Sequence, residues 1–172
     1  MSTNLNLSSY DERPSSFESN LSPKYLEAVN ASRFVKVFGI TALVNSILLF
    51  LGISILNAAI GVGAGLFILR YDEQKFYKTL GIIVMVCALI FPIPFLGTIA
   101  LSVGVLYKGW QTLQTLGREG KEDEDWPISK KRATIGTVCS GLGLIFTIIA
   151  MVLTILVLVA ISLGKIPSPT AS

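Results

Sequence analysis

Three long stretches of this chain carry no charged residue. Residues 37–69, 79–107 and 133–164 run for 33, 29 and 32 positions between flanking basic residues. An apolar run of about 18 residues or more without charge is the mark of a helix solvated by lipid. A water-soluble domain does not string three together, because a core of this size cannot cover so much apolar surface. The expected fold class is all-α, an integral membrane helical bundle.

The first block is too long for one crossing. As a single helix it would reach about 50 Å, against a hydrocarbon core of about 30 Å. Two helices joined near Gly52–Asn57 fit better, with Asn57 as the turn residue. The second block carries Pro92 and Pro94 near its midpoint. Proline removes a backbone donor and drives the preceding residue out of the α region, so a second hairpin break is expected there. Each arm is short, so the hairpins either cross with Lys36, Arg70, Lys78 and Lys108 snorkelling, or dip in without crossing fully. The third block has no interior proline and reads as one tilted span. About five spans result, near 34–54, 57–75, 77–93, 96–116 and 133–160.

Charge placement supports this folding back. Four basic residues precede the first block through Lys36, three lie in Arg70–Lys78, six in Lys108–Arg132, and Lys165 alone follows. With two hairpins, 13 of the 14 fall on one side, as expected for cytoplasmic segments. The N-terminus and both large loops are thus expected in the cytoplasm, with the 164–172 tail opposite.

Residues 1–33 form a polar arm, rich in Ser and Asn to position 21 and expected to be disordered or partner-bound. Four acids precede Ser32 and no early apolar core follows a basic head, so a secretory leader is not expected. Ser22-Pro23 reads as a helix start with serine as cap, and Tyr25, Leu26, Val29 and Phe34 predict a short interfacial helix from about 23. In the charged loop 117–132, the acids Glu122–Asp125 precede Trp126, Lys130, Lys131 and Arg132. Trp110, Trp126 and the basic cluster read as anchors on an anionic leaflet, with Ser129 capping the last helix. The acidic run is a solvated face or a dock for a basic partner. Trp110, Leu113 and Leu116 predict that the fourth helix continues along the surface.

Chemistry is sparse. The chain has no histidine, and no block holds an acid or base, which argues against proton relays, voltage sensors and ion-coupled carriers. No nucleophile elbow, phosphate loop or ligand cluster is present, so no catalytic, cofactor-binding or metal residue is nominated and an enzyme is not expected. Cys87 and Cys139 lie inside apolar blocks and read as buried thiols. The basic residues flank spans instead of forming a stripe, which argues against nucleic acid.

The helix-packing candidates are Gly61 and Gly65, which form a Gly-x-x-x-Gly pair, with Ala100 and Gly104 at the same spacing. Small residues on one face let helices approach, either within the chain or against a partner subunit. Asn45 is the most expensive polar side chain to leave in lipid, and it either hydrogen-bonds across helices or lines a pore. A faint repeat aligns Lys36-Val-Phe-Gly-Ile with Lys78-Thr-Leu-Gly-Ile, and Gly81…Leu89-Ile-Phe with Gly136…Leu144-Ile-Phe.

The order of Gly81, Pro92, Pro94, Gly97, Gly104 and Gly136 resembles small bacterial multi-span membrane proteins of unassigned function. The paired hairpins also resemble reticulon-type membrane-shaping proteins, which would imply curvature generation. The expected role is a non-catalytic accessory or scaffold subunit that meets the lipid bilayer and other membrane subunits, or itself. The alternatives are a curvature hairpin and a pore for small neutral solutes.

Overall fold

Three of the five described helices start at or beside a proline, and one turn between helices is made by a glycine. The computed structural model describes residues 22–52, 54–71, 74–89, 94–119 and 125–163. These form five helices and no strand: α1 (Pro23–Phe50), α2 (Ser54–Tyr71), α3 (Lys75–Leu89), α4 (Pro94–Glu119) and α5 (Trp126–Ser162). Proline opens α1 and α4 and lies in the first turn of α5, where its missing N–H costs nothing. Pro92 lies outside the described residues.

Several expectations need correction at these ends. The α1–α2 turn falls at Leu51–Gly52, and Gly52 has φ +75°, the left-handed region that glycine enters without a steric cost. Asn57 is therefore not the turn residue. It sits inside α2, 2% exposed, and its amide donates to the Asn45 carbonyl across the hairpin at 2.9 Å. Ser22 occupies the cap position of α1 without a side-chain cap bond, and its carbonyl accepts from the Tyr25 and Leu26 N–H groups. Ser129 does not cap α5 either. The helix already starts at Trp126, and the Ser129 N–H bonds the Asp125 carbonyl at 3.0 Å.

The predicted interfacial helix is not a separate element, because α1 runs unbroken for 28 residues. Its first turns carry Tyr25, Ala28 and Val29 into a small core with Leu116 of α4 and Ala133 of α5, covered by Leu113 and Trp126. The end of α4 thus packs into a three-helix stub instead of lying along a surface. The charged loop shrinks accordingly: residues 117–119 belong to α4, and 126–132 belong to α5.

Each connection reverses the chain. Tyr71 of α2 reaches back to Asn30 of α1, and Ser140 of α5 reaches Ser102 of α4. Parallel α1 and α5 form the most extensive contact, and α2 packs chiefly on α3. The arms of the first hairpin touch each other far less. The main core joins Phe34, Val35 and Phe38 of α1 to Ile68 of α2, Tyr77 and Val84 of α3, and Leu101 of α4. All described lysines and arginines lie toward one end, the end holding the start of α1 and the α2–α3 and α4–α5 connections.

Two helices, α1 and α5, are long and apolar enough to cross a membrane, and α2 supplies a shorter apolar helix over Ile55–Tyr71. Helix length thus establishes two candidate spans and not the expected five; α3, with 15 residues, reaches only about 22 Å. In α5 just 11% of the most apolar 18-residue window is buried. From Val152 to Val159 every apolar side chain is between 46% and 61% exposed.

Candidate functional site

The antiparallel packing of α1 and α4 brings together two isolated charges. Glu27 is the only acid between Glu18 and Asp72, and Lys108 the only charge between Lys78 and Arg118. Lys108 is 8% exposed, and its ammonium donates to Glu27 Oε1 at 2.9 Å. The same nitrogen lies 5.7 Å and 5.5 Å from the ring centroids of Phe76 and Tyr77 on α3. A buried ammonium is costly unless paired, and here a carboxylate and two aromatic faces compensate it. The Glu27 side chain remains half exposed. The Lys108 hydrogen bond is the main cause holding its carboxyl below the ordinary glutamate range; partial burial opposes, and Lys108's charge and Gln74 assist.

This pair forms one wall of a cleft of about 420 Å³ between α1 and α4, lined also by Lys24, Gln111, Gln114 and Thr115. The wall mixes an ammonium, a carboxylate and amide groups, so it can hold a polar or zwitterionic group by hydrogen bonds. Among the lining residues none is a nucleophile paired with a base. Among the described residues no group of three or more His, Cys, Asp or Glu could hold a metal ion.

The nominated small residues serve packing inside the chain. A Cβ on Gly65 would lie 2.9 Å from the Gly81 carbonyl oxygen, and one on Gly61 would lie 2.8 Å from Ala88 Cβ. Gly104 abuts Leu80, and half-buried Ala100 packs on the main core. The tightest crossing involves neither pair. A Cβ on Gly39 would overlap the Gly136 backbone, and one on Gly136 would overlap the Val35 carbonyl.

Polar side chains stitch the helices. Asn45 donates to Thr98 Oγ1 at 2.9 Å, Ser140 donates to the Ser102 carbonyl at 2.7 Å, and the Ser46 and Thr147 hydroxyls lie 2.9 Å apart. Asn45 thus bonds helix to helix. Trp110 is 63% exposed. Trp126 instead turns inward, donating from its indole nitrogen to the Leu116 carbonyl at 2.8 Å, with Lys130 stacked over its ring at 4.6 Å. Lys131 is exposed and Arg132 half-buried. Cys87 and Cys139 are free and partly buried. The acids 122–124 lie outside the described residues.

Glu27 and Lys108 were not nominated from sequence. Lys108 reads as a block-end cation and Glu27 as one acid of a polar arm; their isolation along the chain is the signal that could have paired them. Comparison with protein-family models, curated proteins and solved structures found no match for this chain.

Proposed function

We propose that the chain is a non-catalytic, multi-span membrane protein acting as an accessory or scaffold subunit, with the exposed face of α5 as its partner surface. The observation that carries this reading is the row of exposed apolar side chains from Val152 to Val159, which no described helix covers. The small-residue faces around Gly61 and Gly65 are occupied by α3 and leave no room for a partner. In this reading all five helices enter the bilayer, with the basic end cytoplasmic as the distribution of lysine and arginine favours. The Lys108–Glu27 cleft then lies at the cytoplasmic interface.

A photo-crosslinking side chain placed at Ile155 or Leu158 in native membranes tests the proposal. A discrete protein adduct is expected there, and none from Ile82 on α3. Adducts to lipid alone at every position would remove the scaffold role.

A length mismatch favours a second reading. The charge-free parts of α1, α2 and α4 span residues 37–50, 54–69 and 94–107, about 21–24 Å each against a hydrocarbon core of about 30 Å. Short spans thin the bilayer around them, which is one route to membrane bending. Purified protein added to liposomes would tubulate or shrink them, and unchanged vesicles would discard this reading.

A further inference from the structure

The two arms of the α1–α2 hairpin meet at both ends and part between them. Near the turn, Asn57 bonds the Asn45 carbonyl; at the basic end, the Tyr71 hydroxyl donates to the Asn30 carbonyl at 2.8 Å. Between these ties lies a groove of about 520 Å³, floored by Phe34, Phe38 and Ala64 and walled by Val37 and Phe67, with Arg33 at its basic end. Its surface is almost wholly apolar. Arg33 is exposed and makes no ion pair with a described residue.

We infer that this groove holds one acyl chain of an anionic phospholipid, whose phosphate is bound by Arg33. The proposal rests on the membrane reading above, which puts the basic end at the level of lipid headgroups. Charge complementarity sets the class of occupant. An exposed guanidinium without an ion-pair partner among the described residues, at the end of an apolar trough, suits a lipid of net negative charge. Arg binds its phosphate through paired N–H groups, whereas the choline cation of a zwitterionic lipid offsets that attraction. Gly63 supplies an independent sign. It lines the groove, and a Cβ built there meets nothing within 4 Å. Glycine inside a helix is about 1 kcal/mol worse than alanine. Gly61 and Gly65 offset that cost by close contact with α3, whereas Gly63 gains nothing from any described part of the chain and leaves the groove open.

The test uses the full chain extracted from membranes in mild detergent and examined by native mass spectrometry. Phosphatidylglycerol and phosphatidylcholine with identical acyl chains are the probes. The wild type should retain one phosphatidylglycerol in preference to phosphatidylcholine. Arg33→Gln should weaken the anionic lipid about fivefold, bringing it to the level of the neutral one. Gly63→Leu and Val37→Trp, which fill the trough from open positions, should weaken both lipids. Equal retention in wild type and both filling variants overturns the proposal, as does a lack of preference for the anionic lipid. A dimer that Gly63→Leu abolishes would give the groove to a second copy, and so also overturns it. An alkaline carbonate wash separates the two levels. Release of the chain from membranes removes the membrane reading and the lipid with it, while retention without lipid preference removes only the lipid.

Discussion

Gly39 of α1 and Gly136 of α5 pass each other backbone to backbone, so closely that a methyl group on either would overlap main-chain atoms of the other helix. Backbone cannot move aside as a flexible side chain can. Gly39→Ala and Gly136→Ala should each destabilise the fold by about 1–3 kcal/mol or more. Gly63→Ala, at an open position, should be neutral or stabilising by up to about 1 kcal/mol. Unfolding titrations in mixed micelles measure all three, and equal effects would refute the crossing.

Lys108 and Glu27 should respond unequally to substitution. Glu27→Gln leaves a nearly buried ammonium without its counter-charge, while Lys108→Met leaves a half-exposed carboxylate that water can solvate. Lost pairs range from about 1 kcal/mol at the surface to 3–5 kcal/mol when buried, and the exposure of the Glu27 carboxylate puts the loss of Lys108 nearer the lower figure. Glu27→Gln should therefore cost more than Lys108→Met. A larger cost for Lys108→Met would contradict the compensation described.

The same pair predicts a pH dependence. The Glu27 carboxyl titrates lower in the folded protein than in the unfolded chain, so the pair's stabilisation is present above the unfolded value of about 4.3. It is lost as the pH falls through the lowered folded value. Lys24, Gln74 and Lys108 surround the group. Melting temperatures of wild type and Glu27→Gln should differ at pH 6 and converge toward pH 3; a constant gap would show that the carboxylate contributes nothing.

The two tryptophans give an optical readout of the basic end. Trp110 faces outward and Trp126 is tied to Leu116. In vesicles with brominated lipid, Trp126→Phe should leave emission that is strongly quenched, from Trp110. Trp110→Phe should leave emission that is little quenched. The reverse order would mean that Trp126 is the lipid-facing ring.

Direction of insertion is open to labelling in a Cys87→Ala, Cys139→Ala background. A membrane-impermeant maleimide applied from the cytoplasmic side should modify Gln74→Cys and spare Leu51→Cys. Labelling of both would mean that the first hairpin does not cross the membrane.

The five helices were legible because charge-free runs and prolines mark them plainly, and a reversing chain is the simple way to gather the cations. What sequence left obscure has a common cause: amphipathic spacing names an apolar face but not its neighbour. Tyr25, Ala28 and Val29 suit a lipid surface as well as the Leu116 and Ala133 cluster they actually meet. Gly61 and Gly65 carried a motif and met α3 within the chain. Gly39, at the closest crossing, showed only in the weak repeat with Gly81. Asn57 looked like a turn former, yet the positive φ falls on Gly52, which left the Asn57 amide to tie the hairpin arms.

One consequence follows from the unbroken course of α1. The Tyr25 cluster and the Phe34 cluster are mounted on a single rod, with no hinge among the described residues to separate them. The basic-end stub and the apolar bundle turn as one body, and a partner gripping the stub would steer the bundle directly.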